Sequence, residues 1–423
     1  MHGVLLPVTS LLLGVALMLA GHGLLTLLVP LRGASEGFDP LALGLLGSAY
    51  YAGFVLGCLH GPLLVRRAGH IRAFAAVVCG VSAAAVLYPL LLGEVAWSLL
   101  RLAFGYGLAV FYLVVESWLN DRATNTTRGL ILGSYIMINH LALAAGQMML
   151  FAYAVEGFEL FALGAVLISV AAIPVALTRS PQPPPVTDVS FRPGRLWKAS
   201  PVGLAGSLMI GVANGAVWGL GPVAATAAGL TDNGAALFMT VAVLAGAIVQ
   251  IPLGRLSDLM DRRLVLAGLL LAGAVVGGVF YLTTPTGLGL MILAGLFGAA
   301  ALPCYSMAAA HAYDHADPQD YVGTASSLLL VNGLGSILGP IGAALVMRDS
   351  PDGGLFLFTA ICHALLLGFV LLRLTQRAAP PAETRESFDL AATAPAAVGA
   401  VIVPVPLETE AEPEPAPGAE PTP

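Results

Sequence analysis

The segment Gly254-Arg-Leu-Ser-Asp-Leu-Met-Asp-Arg-Arg263 is a second copy of a pattern that begins as Gly61-Pro-Leu-Leu-Val-Arg-Arg-Ala-Gly-His-Ile-Arg72. An offset of 193 residues brings Gly61 onto Gly254 and Leu63 onto Leu256. The same offset aligns four further places: Gly53 with Gly246, Phe104-Gly105 with Phe297-Gly298, Asn139 with Asn332, and Gly146 with Gly339. Several matches at one offset predict two homologous halves, an arrangement that places a binding site on a pseudo-two-fold axis between them.

The composition predicts that this repeat lies in a membrane. Only 10% of the 423 residues are charged and 58% are apolar, whereas soluble domains are about 25% charged. Mean hydropathy is +0.88, and 50 residues are glycine, which is common where membrane helices pack closely. A soluble globule of this length could not bury so much apolar surface, but a lipid bilayer can surround it.

Twelve apolar runs are long enough to cross a bilayer, which takes about 20 residues of helix. The first run lacks a basic leader and is expected to remain as a helix. The predicted spans are 5–30, 41–64, 73–92, 96–118, 129–152, 158–178, 202–225, 234–255, 264–283, 286–310, 321–347 and 354–374. The predicted fold class is all-α, with two six-helix bundles related by a pseudo-two-fold axis along the membrane normal.

The basic residues predict the orientation of these spans. Fourteen of them fall on alternate connections: Arg66, Arg67, Arg72, Arg122, Arg128, Arg179, Arg192, Arg195, Lys198, Arg255, Arg262, Arg263, Arg373 and Arg377. The other side carries only Arg32 and Arg348. By the positive-inside rule the rich side is cytoplasmic, which places both termini inside the cell. We expect a multi-pass protein of a bacterial inner membrane, acting as a monomer.

A Pro-rich linker and an acidic tail set the predicted domain boundaries. Residues 1–180 form the first bundle, 181–199 a cytoplasmic linker, 200–376 the second bundle, and 377–423 a tail rich in Ala, Pro and Glu. The tail holds all of the net charge of −6 and is expected to be disordered, because it has too few apolar groups to fold. The rest of the chain is nearly neutral, which argues against nucleic-acid binding.

The two quoted loops resemble the signature of the major facilitator superfamily, G-x-L-x-D-R-x-G-R-R. The resemblance implies a cytoplasmic gate whose Arg residues pair with carboxylates across the two halves in the outward-open state. Asp258 supplies the acid in the second copy, whereas Val65 replaces it in the first. The alternative is that these bases only set topology. The predicted gate residues are Gly61, Arg66, Arg67, Gly69, Arg72, Glu116, Gly254, Asp258, Arg262 and Arg263.

The fourth span carries a second family pattern, Arg101-Leu-Ala-Phe-Gly-Tyr-Gly-Leu-Ala109. Together with Gly69–Phe74, Glu116 and Leu329–Pro340, it resembles the YcaD-like subfamily of major facilitators, which implies the transporter fold but no substrate. Arg101 is the clearest charge inside a span, and such charges are functional candidates. It could instead extend its side chain to the outer headgroups, with Glu94 drawing it outward. Gly335, Gly339 and Pro340 are expected to pack or kink the eleventh span.

Other polar residues inside the spans complete the candidate site. In the resembled fold, spans 1, 4, 7 and 10 line the cavity, which favours His22, Arg101, Asn214 and Trp218. Asn139 and His140 on span 5 are further candidates, and His22 or His140 could carry protons, since His titrates near neutral pH. For each amide an interhelical hydrogen bond is the alternative. The stretch His311–Asp317 is expected to be a solvated loop and not a metal site.

The sequence also bears on how transport would be driven. Lys198 is the only lysine, and it does not lie in a G-x-x-x-x-G-K-[ST] phosphate loop, so ATP would not be used within the chain. We therefore predict a secondary transporter that moves a small organic solute by alternating access. Transport could be coupled to protons through His22, His140 or Glu116. A polytopic membrane enzyme and a channel are the alternatives. No cofactor is predicted, and substrate and direction stay open.

Overall fold

Twelve helices long and apolar enough to cross a membrane run through the described residues of the computed structural model, which are 8–124, 126–177, 183, 191–317, 320–376 and 388. In chain order, α1 to α12 are Thr9–Ser35, Pro40–Ala68, His70–Leu87, Glu94–Arg122, Arg128–Ala152, Glu159–Ala176, Pro201–Ala227, Asp232–Leu259, Arg262–Thr283, Gly287–Tyr313, Tyr321–Asp349 and Gly354–Gln376. A short linker helix, Pro193–Ala199, precedes α7. The number of spans predicted from apolar runs is confirmed.

The helix ends follow local chemistry. Asp39 begins α2 by accepting a hydrogen bond from the backbone N–H of Ala42 at 2.7 Å, and Pro40 occupies the first helical position. Ser200 and Thr231 cap α7 and α8 in the same way. Gly69 ends α2 at φ +81°, a conformation that favours glycine.

The third predicted span was wrong at its end. It was expected to reach residue 92, but α3 ends at Leu87. Tyr88 still has helical dihedral angles, but Pro89 has no backbone N–H to continue the helix hydrogen bonds, and Gly93 at φ +132° redirects the chain into α4. The apolar residues between them form the turn, so the length of the apolar run gave too long a helix. The predicted tail and most of the predicted linker lie outside the described residues.

The two bundles repeat the same packing, which confirms the predicted fold class. In the first bundle α1 packs on α5 and α6, α2 on α4, and α3 on α4 and α6. In the second, α7 packs on α11 and α12, α8 on α10, and α9 on α10 and α12. The aligned Phe-Gly pairs occupy matching places, because a Cβ on Gly105 would overlap the carbonyl oxygen of Tyr50 and one on Gly298 that of Ala242.

Most of the buried apolar contact described between the bundles lies toward one side of the membrane. We call the side that carries the α2–α3, α4–α5 and α8–α9 connections the basic face, after its Arg residues, and the other side the opposite face. One buried apolar cluster fills the first bundle and continues into the second through residues such as Leu220, Phe238 and Phe356, mainly near the opposite face. A separate cluster near the basic face draws only on the linker helix, the second bundle and Phe388.

Close backbone contact between α2 and α4 makes Gly105 sensitive to any side chain. Gly105→Ala should lower the stability of the protein by about 1–3 kcal/mol, because the added methyl group would force the two helices apart. Thermal denaturation of the purified protein measures the loss. Gly80→Ala is the matched control, since a Cβ there meets nothing within 4 Å. Equal melting temperatures for the two variants would contradict the packing argument.

Candidate functional site

A seal between the two bundles lies near the opposite face, where α2 meets α11 and α7. A Cβ on Gly44 would lie 2.7 Å from the carbonyl oxygen of Pro340 and 2.8 Å from the Cβ of Ala344. The Ser48 hydroxyl donates to the carbonyl oxygen of Ile337 at 2.6 Å. On the other side of the pseudo-two-fold axis, the Thr240 hydroxyl of α8 donates to Gln147 Oε1 of α5 at 3.0 Å. Small side chains therefore let the halves touch backbone to backbone.

The predicted packing residues of α11 lie against α7. A Cβ on Gly335 would overlap the carbonyl oxygen of Leu208, and one on Gly339 that of Val212. Pro340 lies against Gly47 of α2 and Gly219 of α7. Pro340 thus lies where three helices of both halves converge, and the glycines before it leave room for the approach.

Arg101 lies among aromatic rings inside the first bundle. Its guanidinium carbon is 5.7 Å from the centroid of the Tyr50 ring, within the range of a cation–π contact. His22 of α1 stacks between Tyr50 and Phe104, with ring centroids 5.9 Å and 5.7 Å away. We call Arg101, His22, Tyr50 and Phe104 the arginine–ring cluster. Tyr50 and Phe104 were missed from the sequence, where aromatic residues in apolar helices carry no distinguishing pattern.

The alternative position of Arg101, extended to the headgroups, was wrong. Its side chain is 5% exposed, and Nε is buried without a hydrogen-bond partner. Glu94, at the start of α4, does not pair with it. Within the described part of the chain, Arg101 therefore carries a charge inside the membrane-spanning region without an acidic partner.

The other predicted cavity residues occupy less enclosed places. Asn214 and Trp218 are half-buried on α7, and Trp218 packs against the large apolar cluster. His140 is half-buried, and its Nδ1 donates to the carbonyl oxygen of Ile136 in its own helix at 2.9 Å. Asn139 has a buried Oδ1 without a hydrogen-bond partner in the described structure. The structure brings His22 and Arg101 together and leaves these four apart from them.

Glu116 lies buried in α4, much nearer the basic face than Arg101. The hydroxyl of Tyr135 on α5 donates to its carboxylate at 2.9 Å. The 15 residues that separate Glu116 from Arg101 place them roughly 22 Å apart along the helix axis. Glu116 is therefore not the counter-ion of Arg101, and the two charges belong to different layers of the first bundle.

The first basic-face loop contains the glycines and arginines predicted for the gate. A Cβ on Gly61 would lie 3.1 Å from Leu113, so this glycine lets α2 approach α4. Val65 is buried, and its carbonyl oxygen accepts the N–H of Gly69 at 2.8 Å. The three arginines of the loop, Arg66, Arg67 and Arg72, are exposed.

The second basic-face loop holds its charges within the second bundle. Arg262 Nε lies 2.8 Å from Asp314 Oδ2, with both side chains buried, and Arg262 Nη2 lies 3.4 Å from Asp258. Arg263 pairs with Asp261 at 2.7 Å. Burial raises the pKa of Asp261, but the hydrogen bonds and charge of Arg263 outweigh this and leave the pKa below its usual range. That pair stabilises the loop above the ordinary Asp pKa and is lost as pH falls through the lowered value.

The expectation of a solvated loop at His311–Asp317 was wrong at its start. His311 is 5% exposed on α10, which continues to Tyr313, and the Asp314 side chain is also buried. The reason is the ion pair with Arg262, which holds Asp314 against the bundle. The alternating Ala and polar residues of this segment do not indicate in the sequence that Asp314 pairs with Arg262.

Phe388 is a contact that the sequence did not indicate. Its backbone N–H donates to Asp258 Oδ1 at 2.8 Å, and its ring fills the space over Gly254, where a Cβ would overlap it. The rest of the predicted tail lies outside the described residues. The second signature loop is therefore occupied by a residue of the same chain.

The sequence profile of the Major Facilitator Superfamily matches residues 11–340 and, in a second alignment, 203–408. The chain belongs to the major facilitator superfamily. Its relatives include the uncharacterised MFS-type transporter YcaD of Escherichia fergusonii, 29% identical over 89% of this chain and 97% of that protein. A second, from Enterobacter sp. strain 638, is 28% identical over 89% of this chain and 98% of that protein. The predicted subfamily resemblance is confirmed.

Solved structures share the fold of this facilitator. The nucleoside transporter NupG matches with a TM-score of 0.71 at 13% identity, over 87% of this chain and 98% of that one. A bacterial homologue of the human lysosomal transporter Spinster also gives 0.71, at 16% identity, over 90% and 98%. The fucose:proton symporter FucP of E. coli gives 0.55 at 15% identity, over 88% and 99%. All three are named as transporters.

Removal of the buried acid at the second basic-face loop should destabilise this facilitator. Asp314→Asn leaves the Arg262 guanidinium without its short buried partner, which typically costs about 3–5 kcal/mol. The melting temperature in detergent reports the effect. Asp352→Asn, on an exposed turn, is the matched control and should leave it unchanged. Comparable melting temperatures for both variants would mean that the Arg262–Asp314 pair contributes nothing to stability.

Proposed function

We propose that the protein is a secondary transporter that carries a small organic solute across the membrane by alternating access. The observation that carries the proposal is that two similarly packed bundles touch backbone to backbone near the opposite face, while the buried cluster near the basic face draws on the linker helix, the second bundle and Phe388. Two similar bundles joined in this way can rock about the seal and expose a site between them to each side in turn. Relatives named as transporters support the proposal.

The proposed orientation places the basic face in the cytoplasm. The Arg residues of the α2–α3, α4–α5 and α8–α9 connections support it through the positive-inside rule. Both termini are then cytoplasmic, residues 1–180 and 200–376 are the moving bodies, and a bacterial inner membrane is the location. The seal near the opposite face then closes the outer side of the protein.

Closure of the basic face is the second half of the proposed cycle. Asp258, Arg262 and Arg263 lie at the basic face of the second bundle. In the present arrangement their ion pairs stay within their own bundle. We propose that rocking brings each signature loop into contact with the opposite bundle. Arg66, Arg67 and Arg72 then supply the positive charges of the first loop.

The arginine–ring cluster is the proposed substrate region. His22 and Arg101 lie on α1 and α4 of the first half, and Asn214 and Trp218 lie half-buried on α7, the helix of the second half that corresponds to α1. A solute held between such groups would contact both moving bodies, which is what alternating access requires.

Proton coupling is proposed at Glu116. A buried carboxyl within a membrane span is costly when charged, and it commonly marks a proton path. The hydroxyl of Tyr135 donates to the carboxylate, so protonation of Glu116 changes the contact between α4 and α5. His140 is a weaker candidate because it already bonds to its own helix.

A covalent bridge across the seal should stop transport. In Gly44→Cys with Ala344→Cys, the Cβ atoms would start 2.8 Å apart, and a shift of about 1 Å would bring them into the disulfide range. The native thiols at 58, 79, 304 and 362 are first replaced by alanine. The oxidised protein in proteoliposomes should lose saturable counterflow, and a reductant should restore it. Gly44→Cys alone is the control. Full counterflow in the bridged protein would disprove the rocking mechanism, whereas ohmic flux would indicate a channel.

Glu116→Gln should separate transport from the pH gradient. Since glutamine cannot carry a proton, uptake driven by an imposed pH gradient should fall to the level seen without one, while exchange of solute across the membrane continues. Parallel flux assays with and without the gradient measure this. Glu94→Gln is the control, because Glu94 lies exposed at the start of α4. A full response to the gradient in Glu116→Gln would remove Glu116 from the coupling path.

A further inference from the structure

The charge of Arg101 is the starting point for a statement about the substrate. A guanidinium buried away from water is unfavourable unless a counter-charge or several acceptors satisfy it. The Arg101 side chain is 5% exposed, and its Nε has no hydrogen-bond partner in the described structure. Other buried bases are compensated, as Arg262 is by Asp314 and Arg263 by Asp261.

The groups around Arg101 cannot supply the missing charge. The titratable side chains that face it are His22 of α1, Tyr50 and Tyr51 of α2, and Tyr88 at the end of α3. Phenols and imidazoles carry no negative charge near neutral pH. Tyr88 is itself fully buried, and its hydroxyl lacks a hydrogen-bond partner in the described residues.

The two unsatisfied groups are donors. An arginine fork and a phenol hydroxyl both suit oxygen acceptors, and a carboxylate binds a guanidinium through two parallel hydrogen bonds. The second half offers no matching base, because Ala294 stands at the position that corresponds to Arg101. One unpaired positive charge therefore favours a ligand with one negative charge.

We propose that the transported solute is a small organic monoanion, a carboxylate with an apolar or aromatic body, whose charge is bound by Arg101. This rests on the proposed transport function and names its substrate class. The Tyr50 ring lies against the guanidinium, and the His22 and Phe104 rings pack beside Tyr50, which gives an aromatic setting for the rest of the molecule. A cationic or doubly charged solute would leave a charge uncompensated in this region.

Thermal-shift binding on the purified full chain tests the proposal. The probes are benzoate, butyrate and hexanoate, with benzylamine and benzyl alcohol as matched cationic and neutral compounds, and chloride and phosphate as inorganic anions. We expect at least one carboxylate to raise the melting temperature, with no rise from its amine or alcohol counterpart. No response to any carboxylate, or an equal response to benzylamine, would overturn the proposal. A response to inorganic anions alone would replace it with an inorganic anion site.

Variants locate the binding. Arg101→Gln should weaken carboxylate binding roughly tenfold or more, since a charge-assisted bidentate contact is lost, and Arg101→Lys should keep part of it. Arg32→Gln is the matched control, because Arg32 pairs with Glu36 at the opposite face. Without ligand, Arg101→Gln should melt no lower than the native protein, because an unpaired buried charge has been removed. A large fall would show that the guanidinium is already satisfied.

Flux assays keep the two proposals apart. Binding of a carboxylate that depends on Arg101, without counterflow in proteoliposomes, would overturn transport and leave anion recognition standing. Counterflow of an amine or a neutral solute that is unchanged by Arg101→Gln would leave transport standing and overturn anion recognition.

Discussion

Close contact between helix backbones is the constraint on which the whole structure depends. Lipid is as apolar as leucine, so burial of apolar side chains between helices gives little drive for association in a membrane. Van der Waals packing must supply it, and it is strongest where the residue at the contact is glycine. Gly105 and Gly298 build the two bundles in this way, and Gly44 and Gly47 join them. One kind of contact thus serves both the rigid bodies and the seal between them.

The sequence predicted the parts of the fold that hydropathy and repetition control. The twelve spans and the 193-residue repeat follow from composition and spacing, and the structure shows them as helices and as matched packing. The end of α3 was misjudged because Leu90–Leu92 are as apolar as the helix before them. Asp314 was misjudged for another reason: its partner Arg262 is distant in sequence, and burial by a distant partner leaves no local sign.

The candidate site shows a similar division. Arg101 is visible in the sequence because a charge inside an apolar span is rare. Its setting is not visible, since Tyr50 and Phe104 look like any aromatic residues of a membrane helix until three helices are brought together. For each amide inside a span, an interhelical hydrogen bond was the alternative to a role in the cavity. Asn332 makes such a bond, because its side chain donates to the carbonyl oxygen of Ser207 and so links α11 to α7. The surroundings of the Arg101 charge therefore become known only from the three-dimensional structure.

Val65, where the second copy has Asp258, makes the two halves unequal in a functional sense. If both signature loops had an acid, two equivalent ion pairs could hold the basic face closed. This chain has the acid in only one of the two loops. Each 1.4 kcal/mol removed from one end state changes the ratio of the two populations about tenfold. In the proposed cycle, the missing acid would therefore weaken closure of the basic face relative to closure of the opposite face.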